Sequence, residues 1–401
     1  MPEVLGPCRR AHAFEQVIKH ISRREFERSV SRHAADRGIR ALDSWTWFGA
    51  LLFGQLTGHD SIRAIERVFC HGNHRMERLG FSTVCRSTLA DANHTRPLEL
   101  LEDVFHSVLE RAKQLCPVSH GFRFQGKLLA LDSTIIDLCL SLSPWANFRK
   151  GTAAVKLHTT IDLAGDLPDF FVVTQALRHD VPIARKNFDF RKGTTLAFDR
   201  GYWSAEWLNE LNKPGVYFVT QQRRNNFFKV VQNRPTDRTR GYICDQIVYQ
   251  TPGKSGDHNR RYGIFYRGKL RRISFRDPDT GKKLMFITNR FDLATATICA
   301  LYKARWKVEL FFKALKQNLR VKKFLGTIAH AVKAQVYVTL IASLLVQIIH
   351  WATKSRVSIP DAMAVIWTSL LLREPLERLF GELPRVTRHP RGSPTQLSLG
   401  I

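Results

Sequence analysis

An α/β fold, with helices packed against a mixed sheet and an all-helical domain ahead of it, is what this sequence predicts, on three observations. Residues 1–118 carry apolar side chains at helical spacing and few strand formers. From 119 to 220, short apolar runs of strand type alternate with helical pieces in the order three strands, helix, strand, helix, strand. Residues 221–290 hold short alternating segments divided by polar turns, which reads as an antiparallel β region inserted into that pattern. Helices resume over 291–382, and 383–401 is a basic tail rich in Pro and Ser, expected to be disordered.

The elements follow in order. "DSWTWFGALLFGQL", "SIRAIERVF" and "LELLEDVFHSVLERAKQL" are helices, with Asp43 and Asp60-Ser61 as N-caps and Gly58 and Gly72 as stops. "CPVSHGFRFQG" (116–126) is a linker. "KLLALDSTIID", "AAVKLHTTIDLAG" and "LPDFFVVTQAL" are strands, the last two joined by a hairpin turn at Gly165-Asp166. A helix is expected near 181–190, with Asp180 as its cap and Pro182 in its first turn. "TTLAFDRGY" is a strand, "SAEWLNELNK" a helix and "GVYFVTQ" a strand. The most apolar run, "VYVTLIASLLVQIIHWA" (336–352), is short for a membrane span and contains Gln347, so it reads as a buried helix and no membrane partner is expected.

Composition narrows the function. Of 401 residues, 44% are hydrophobic, enough for a buried core. Lys and Arg number 62 against 35 Asp and Glu, a formal charge of +27. An excess of that size attracts polyanions, and nucleic acid is the expected partner. The seven cysteines form no CxxC pair and are odd in number, which argues against a disulfide framework or zinc ribbon and fits a reducing cytoplasm. The first residues hold no continuous apolar stretch, so no signal peptide is expected.

The chemistry is carried by "YKARWKVELFFKALKQNL" (302–319). On one helix, Tyr302, Arg305, Glu309 and Lys316 fall in a stripe roughly 60° wide. Leu301, Ala304, Val308, Phe311, Phe312, Leu315 and Leu319 form a core-facing stripe beside it. Arg305 and Glu309 alone would read as a plain i,i+4 pair. Two aspartates raise the stakes: Asp132 in "LLALDST" and Asp199 at the end of "TTLAFDRGY" are expected at strand ends. A carboxylate beside a core strand is costly unless paired or bound to metal. Three convergent carboxylates are hard oxygen donors suited to Mg²⁺ or Mn²⁺, and two such ions serve phosphodiester chemistry. Lys156 and His158 in "VKLHTT" leave two readings open: one of them faces the site from the second strand, or they are polar residues of an edge strand. Trp203 reads as packing, and Arg86 and Ser87 open a helix of helix-turn-helix type or one that only packs.

"LDST", "FDRGY" and Tyr302-x2-Arg305-x3-Glu309-x6-Lys316 resemble the DDE transposases of the bacterial insertion-sequence-4 family and their Tyr-Arg-Glu-Lys signature. "LLFGQLTGHDSIRAIE" and "CRSTLADANHTRP" resemble the helical domain that precedes the core in one branch of that family. The resemblance implies a ribonuclease H-like core with a β-rich insertion between the second aspartate and the glutamate. It implies that Asp132, Asp199 and Glu309 are catalytic and hold two Mg²⁺ ions, Mn²⁺ substituting. It implies that Tyr302, Arg305 and Lys316 grip DNA phosphates; Arg200, beside Asp199, is taken as a further DNA contact. Water would cut the element's end, the freed 3′-hydroxyl would pass through a hairpin and then attack target DNA. A cytoplasmic, nucleoid-associated bacterial protein acting as a homodimer on double-stranded DNA, at terminal inverted repeats and target, is expected. The rivals are an inactive, domesticated DNA-binding relative and a nuclease that joins nothing. In some relatives a tryptophan of the insertion holds a flipped base; here no tryptophan lies between Trp207 and Trp306, leaving Phe227, Phe228, Tyr249 or Tyr266.

Overall fold

The computed structural model describes residues 12–71, 73–116, 121–122, 124, 126–138, 144–149, 152–251, 265–278, 280–318 and 324–381. Gly72, the tail from 383 and the turn over 252–261 lie outside them. Seven helices lead: α1 (Ala13–Ile18), α2 (Arg23–Arg32), α3 (Ser44–Thr57), α4 (Ile62–His71), α5 (Asn73–Arg78), α6 (Arg86–Thr95) and α7 (Leu98–Leu115). The Asp43 carboxylate accepts from Thr46 N–H at 2.7 Å and starts α3, and Gly58 ends it at φ +67°, a conformation that costs glycine little. Ser61 caps α4 through Ala64 N–H at 3.2 Å.

Every residue of α3 from Ser44 to Leu56 is buried. A helix apolar all round needs partners on all sides. Its partners include α12 (Ala329–Ala352) and α13 (Ile359–Ser369) from the far end of the chain, and Thr339 donates to Gln55 at 3.1 Å between them. Residues 12–115 therefore do not close on a core of their own: one hydrophobic cluster runs from Phe14 and Leu52 to Leu344 and Met363. α12 is long and apolar enough to cross a membrane, yet most of it is buried within this cluster.

The sheet is built from β1 (Leu128–Leu138), β2 (Asn147–Arg149), β3 (Thr152–Asp162), β4 (Leu167–Gln175), β5 (Thr195–Phe198) and β6 (Tyr217–Gln221), with α8 (Asp180–Asn187) and α9 (Ala205–Asn212) between the later strands. It continues in β7 (Phe227–Asn233), β8 (Tyr242–Thr251), β9 (Leu270–Arg276) and β10 (Lys283–Thr288). The order is β2-β3-β1-β5-β6-β10-β9-β8-β7, with β4 on β3. β1, β5 and β6 pair parallel; the other pairs are antiparallel. This is a mixed α/β fold, and β1, β3, β4, α8, β5, α9 and β6 come in the order the sequence predicts; the short β2, paired with the start of β3, is an addition to that order. The β region read as an insertion is antiparallel, but it is one with the sheet: β10 pairs with β6 and covers an edge that would otherwise stand open.

Alternation along β1 divides two cores. Leu128 and Ala130 face the terminal helices, and Leu129 and Leu131 face the α8 and α9 side. Among the described residues three further helices follow: α10 (Thr295–Ala304) and α11 (Trp306–Asn318) before α12, and α14 (Leu376–Gly381) after α13. The single helix expected over 302–319 is broken. Arg305 stands between α10 and α11, with i,i+3 bonds from Arg305 N–H to Tyr302 and from Val308 N–H to Arg305. That tighter turn rotates Glu309 relative to Tyr302 away from ideal helical phase.

Candidate active site at the end of the parallel strands

The parallel ladder between β1 and β5 stops at Leu131↔Phe198. Asp132 and Asp199 are each the next residue, so register alone sets them side by side at the carboxyl end of the parallel core, where open α/β sheets keep their clefts. Asp132 is not at a strand end as expected. β1 runs on to Leu138 because β3 pairs with it beyond the point where β5 stops. Asp199 is a true strand end, and its carboxylate accepts from Gly201 N–H at 3.4 Å.

Glu309 lies in the first turn of α11 and is brought in by Arg305. Arg305 Nη1 donates to Asp132 Oδ2 at 2.9 Å, and Nη2 donates to Glu309 Oε1 at 2.8 Å. Asp132 also accepts from Ser133 N–H at 2.8 Å. The Asp132 carboxyl is pushed up to about 6, first by burial and then by the charges of Asp199 and Glu309, against the pull of Ser133 N–H and Arg305. All three carboxylates thus share one neighbourhood. Among the described residues no such set stands as a preformed metal cage. The donors nevertheless fit a hard divalent cation: they are carboxylate oxygens, their mutual repulsion calls for positive charge, and an internal guanidinium now supplies it.

A carboxyl whose pKa is raised on folding stabilises the fold below its unfolded value, near 3.8, and that stability is lost as pH rises through about 6. In EDTA, the wild type is expected to lose up to about 3 kcal/mol between pH 4 and 6 relative to Asp132→Asn. Urea denaturation of both proteins across that window checks it; parallel curves would count against a buried, crowded Asp132.

The other expected residues are placed as follows. The Tyr302 hydroxyl donates to Gln221 Oε1 at 3.4 Å at the end of β6, and its ring lies 4.7 Å from Phe286. Lys316 is partly buried, two turns past Glu309 on α11. Arg200 is exposed and lines a cleft of about 390 Å³ with Asp199, Gly201, Arg223, Arg224 and Asn225. Arg223 ties that cleft together by donating to the carbonyls of Arg200 at 2.6 Å and Gly201 at 2.8 Å. Sequence reading missed Arg223 to Asn225. The available signal was that β6 runs parallel to β5, so the turn after it opens at the same edge as Asp199. It also missed Trp306, which is 57% exposed three residues before Glu309.

Asp180 is not the cap of α8. His179 holds the N-cap position, and Asp180 accepts from Ser133 Oγ at 2.9 Å while facing Lys156 Nζ at 3.3 Å and His158 Nδ1 at 3.4 Å. Register puts His158 opposite Ser133, on the sheet face away from Asp132, so neither Lys156 nor His158 faces the carboxylates. Burial lowers the His158 pKa to about 4, Asp180 opposing and Lys156 adding to the shift. Trp203 is buried, edge-on to Phe228.

Residues 123–345 match the family described as transposase DDE domain, and residues 9–82 match a family described as a domain of unknown function, DUF4372. A Sinorhizobium fredii protein named as transposase y4zB is 31% identical over 319 residues, 77% of this chain and 85% of its own length. A Geobacillus stearothermophilus protein named as the transposase for insertion sequence element IS5377 is 26% identical over 294 residues, 73% of this chain and 74% of its own length. A piggyBac transposase in a synaptic complex with hairpin DNA, solved by cryo-EM, overlaps 95% of this chain and 82% of its own at 11% identity and a TM-score of 0.42. A match over more than half the chain, together with a relative at that identity and coverage, identifies it: the chain belongs to the DDE transposase family.

Proposed function

We propose that this transposase cuts DNA at the ends of its own insertion sequence and joins the freed 3′-hydroxyls to target DNA, with Asp132, Asp199 and Glu309 as the metal-holding carboxylates. The observation that carries the reading is the register: two aspartates follow the last paired residues of adjacent parallel strands, and Arg305 links one of them to Glu309. Two Mg²⁺ ions, or Mn²⁺, held there would supply Lewis-acid activation of the attacking oxygen and charge stabilisation at the leaving one. The chain's own part is to position the strand. Arg200, Arg224 and Lys316 present cations to phosphate oxygens around the carboxylates, and Tyr302 adds a hydroxyl. The charge of +27 supports a long polyanionic partner at the inverted repeats and at the target. Action at the bacterial nucleoid, with two copies pairing two ends, belongs to the same reading.

Of the aromatics considered for a flipped base, Tyr266 is buried and Phe228 packs on Trp203. Phe227 and Tyr249 are exposed, as is Trp306, and these three have faces free to stack.

The test is incubation of purified protein with duplexes carrying the element's terminal repeats, with Mg²⁺ or with EDTA. Metal-dependent cleavage leaving 3′-hydroxyls, followed by joining to a second duplex, is expected. Binding without cleavage would favour a domesticated relative, and nicks without joined products a simple nuclease.

A further inference from the structure

We propose that Arg305 is an exchangeable internal counter-ion: in the DNA-free protein its guanidinium holds the carboxylates of Asp132 and Glu309, and a divalent cation gains them only by displacing it. The inference rests on the reading of these carboxylates as metal ligands.

The geometry is that of a bridge. Two different nitrogens of Arg305 reach two different carboxylates, at 2.9 Å to Asp132 and 2.8 Å to Glu309. The side chain is only 12% exposed, so these bonds are made away from bulk water, where charge-assisted contacts are strongest. The oxygens it uses, Asp132 Oδ2 and Glu309 Oε1, are oxygens a hard cation would need. A guanidinium and a metal ion cannot both stand at one point between them, so the two compete.

The bridge is also incomplete. Arg305 Nε is buried without a hydrogen-bond partner. A guanidinium turned to serve two carboxylates leaves its third edge unserved, and an acceptor offering a better fork would draw it away. A phosphodiester oxygen pair is such an acceptor. Arg305 is also the one residue of 295–318 outside both α10 and α11, at the tightened turn that joins them, so a small backbone change re-aims it.

These features couple two ligands through one side chain. Phosphate takes the guanidinium and leaves the carboxylates free for metal; metal takes the carboxylates and leaves the guanidinium free for phosphate. Each ligand therefore raises the affinity for the other by the same factor. Without DNA the centre is held closed by its own arginine, which keeps a charged cleavage site from forming off its substrate.

The test is Mn²⁺ titration of the full chain without DNA, free Mn²⁺ being read by electron paramagnetic resonance, for wild type, Arg305→Gln, Arg305→Lys and Asp132→Ala. Arg305→Gln is expected to bind Mn²⁺ about tenfold or more tighter than wild type, and Arg305→Lys to fall between them, since lysine keeps the charge but not the fork. Adding a duplex of the element's terminal repeat is expected to tighten Mn²⁺ binding by wild type and to change it little in Arg305→Gln. Circular dichroism establishes folding; should Arg305→Gln not fold, Arg305→Lys carries the comparison. Mn²⁺ binding that Asp132→Ala removes, but that is no tighter in the folded Arg305 variant than in wild type, overturns the exchange. Absence of any Mn²⁺ binding that Asp132→Ala removes, in wild type and Arg305 variants alike, overturns the metal-site reading and the exchange with it.

Discussion

Asp199→Ala is expected to abolish strand cleavage, by at least about a thousandfold, while leaving affinity for terminal-repeat DNA within about threefold of wild type. Asp199 separates chemistry from folding better than its two partners. It takes no part in the Arg305 bridge, so its removal leaves Arg305 held by Asp132 and Glu309. Among the described residues its side chain accepts one hydrogen bond, from Gly201 N–H at 3.4 Å, and losing a cap of that kind costs about 1 kcal/mol or less. The turn that follows is still tied by Arg223 to the carbonyls of Arg200 and Gly201. Removing a negative charge beside Arg200, Arg223 and Arg224 weakens no phosphate contact. Cleavage rates in Mg²⁺ and fluorescence anisotropy on the same duplex measure the two effects separately. Near-normal cleavage by the alanine variant would remove Asp199 from the chemistry and leave the register argument without its consequence.

The sequence carried the parallel core plainly because β1, β5 and β6 each contain a compact apolar run, set off by turn residues or a helix. It carried the family through residues close together along the chain. What it hid are relations over distance. The bridge from Arg305 to Asp132 spans 173 positions, so in sequence Arg305 shows only its i,i+4 partner Glu309. Asp132 looked like a strand end because its apolar run stops there; the strand goes on because β3 is longer than β5 and pairs with the polar-flecked "STIIDL". The pairing of β10 with β6 closes over the whole of β7 to β9, so the β region read as a separate insertion although it extends the same sheet. α3, apolar on every side, announced that it needed partners and gave no sign that α12 and α13 would be among them.

Asp245→Ala is expected to cost about 3–5 kcal/mol of stability, more than any substitution of an exposed charge on this protein. Asp245 on β8 and Arg271 on β9 are diagonal neighbours on one sheet face, and each side chain is 1% exposed. Arg271 Nε donates to Asp245 Oδ1 at 2.9 Å and Nη2 to Oδ2 at 2.5 Å, while Thr295 Oγ1 donates to Oδ2 at 2.7 Å. Arg271 also donates to the Leu293 carbonyl. Alanine at 245 leaves a buried guanidinium with no carboxylate, and that uncompensated charge dominates the loss. The double variant Asp245→Leu/Arg271→Met removes both charges and is expected to recover most of the stability, because a buried ion pair gains little over well-packed apolar side chains. What the double variant should not recover is position. Thr295 is the first residue of α10, the helix that carries Tyr302, ends at Ala304 and leads into Arg305 and Glu309. With the Asp245 carboxylate gone, the outer strands no longer fix the start of that helix. Urea midpoints near wild type, together with cleavage reduced about tenfold or more, are therefore expected of the double variant. Full cleavage at full stability would show that the buried pair serves only the sheet and that the helix finds its place without it.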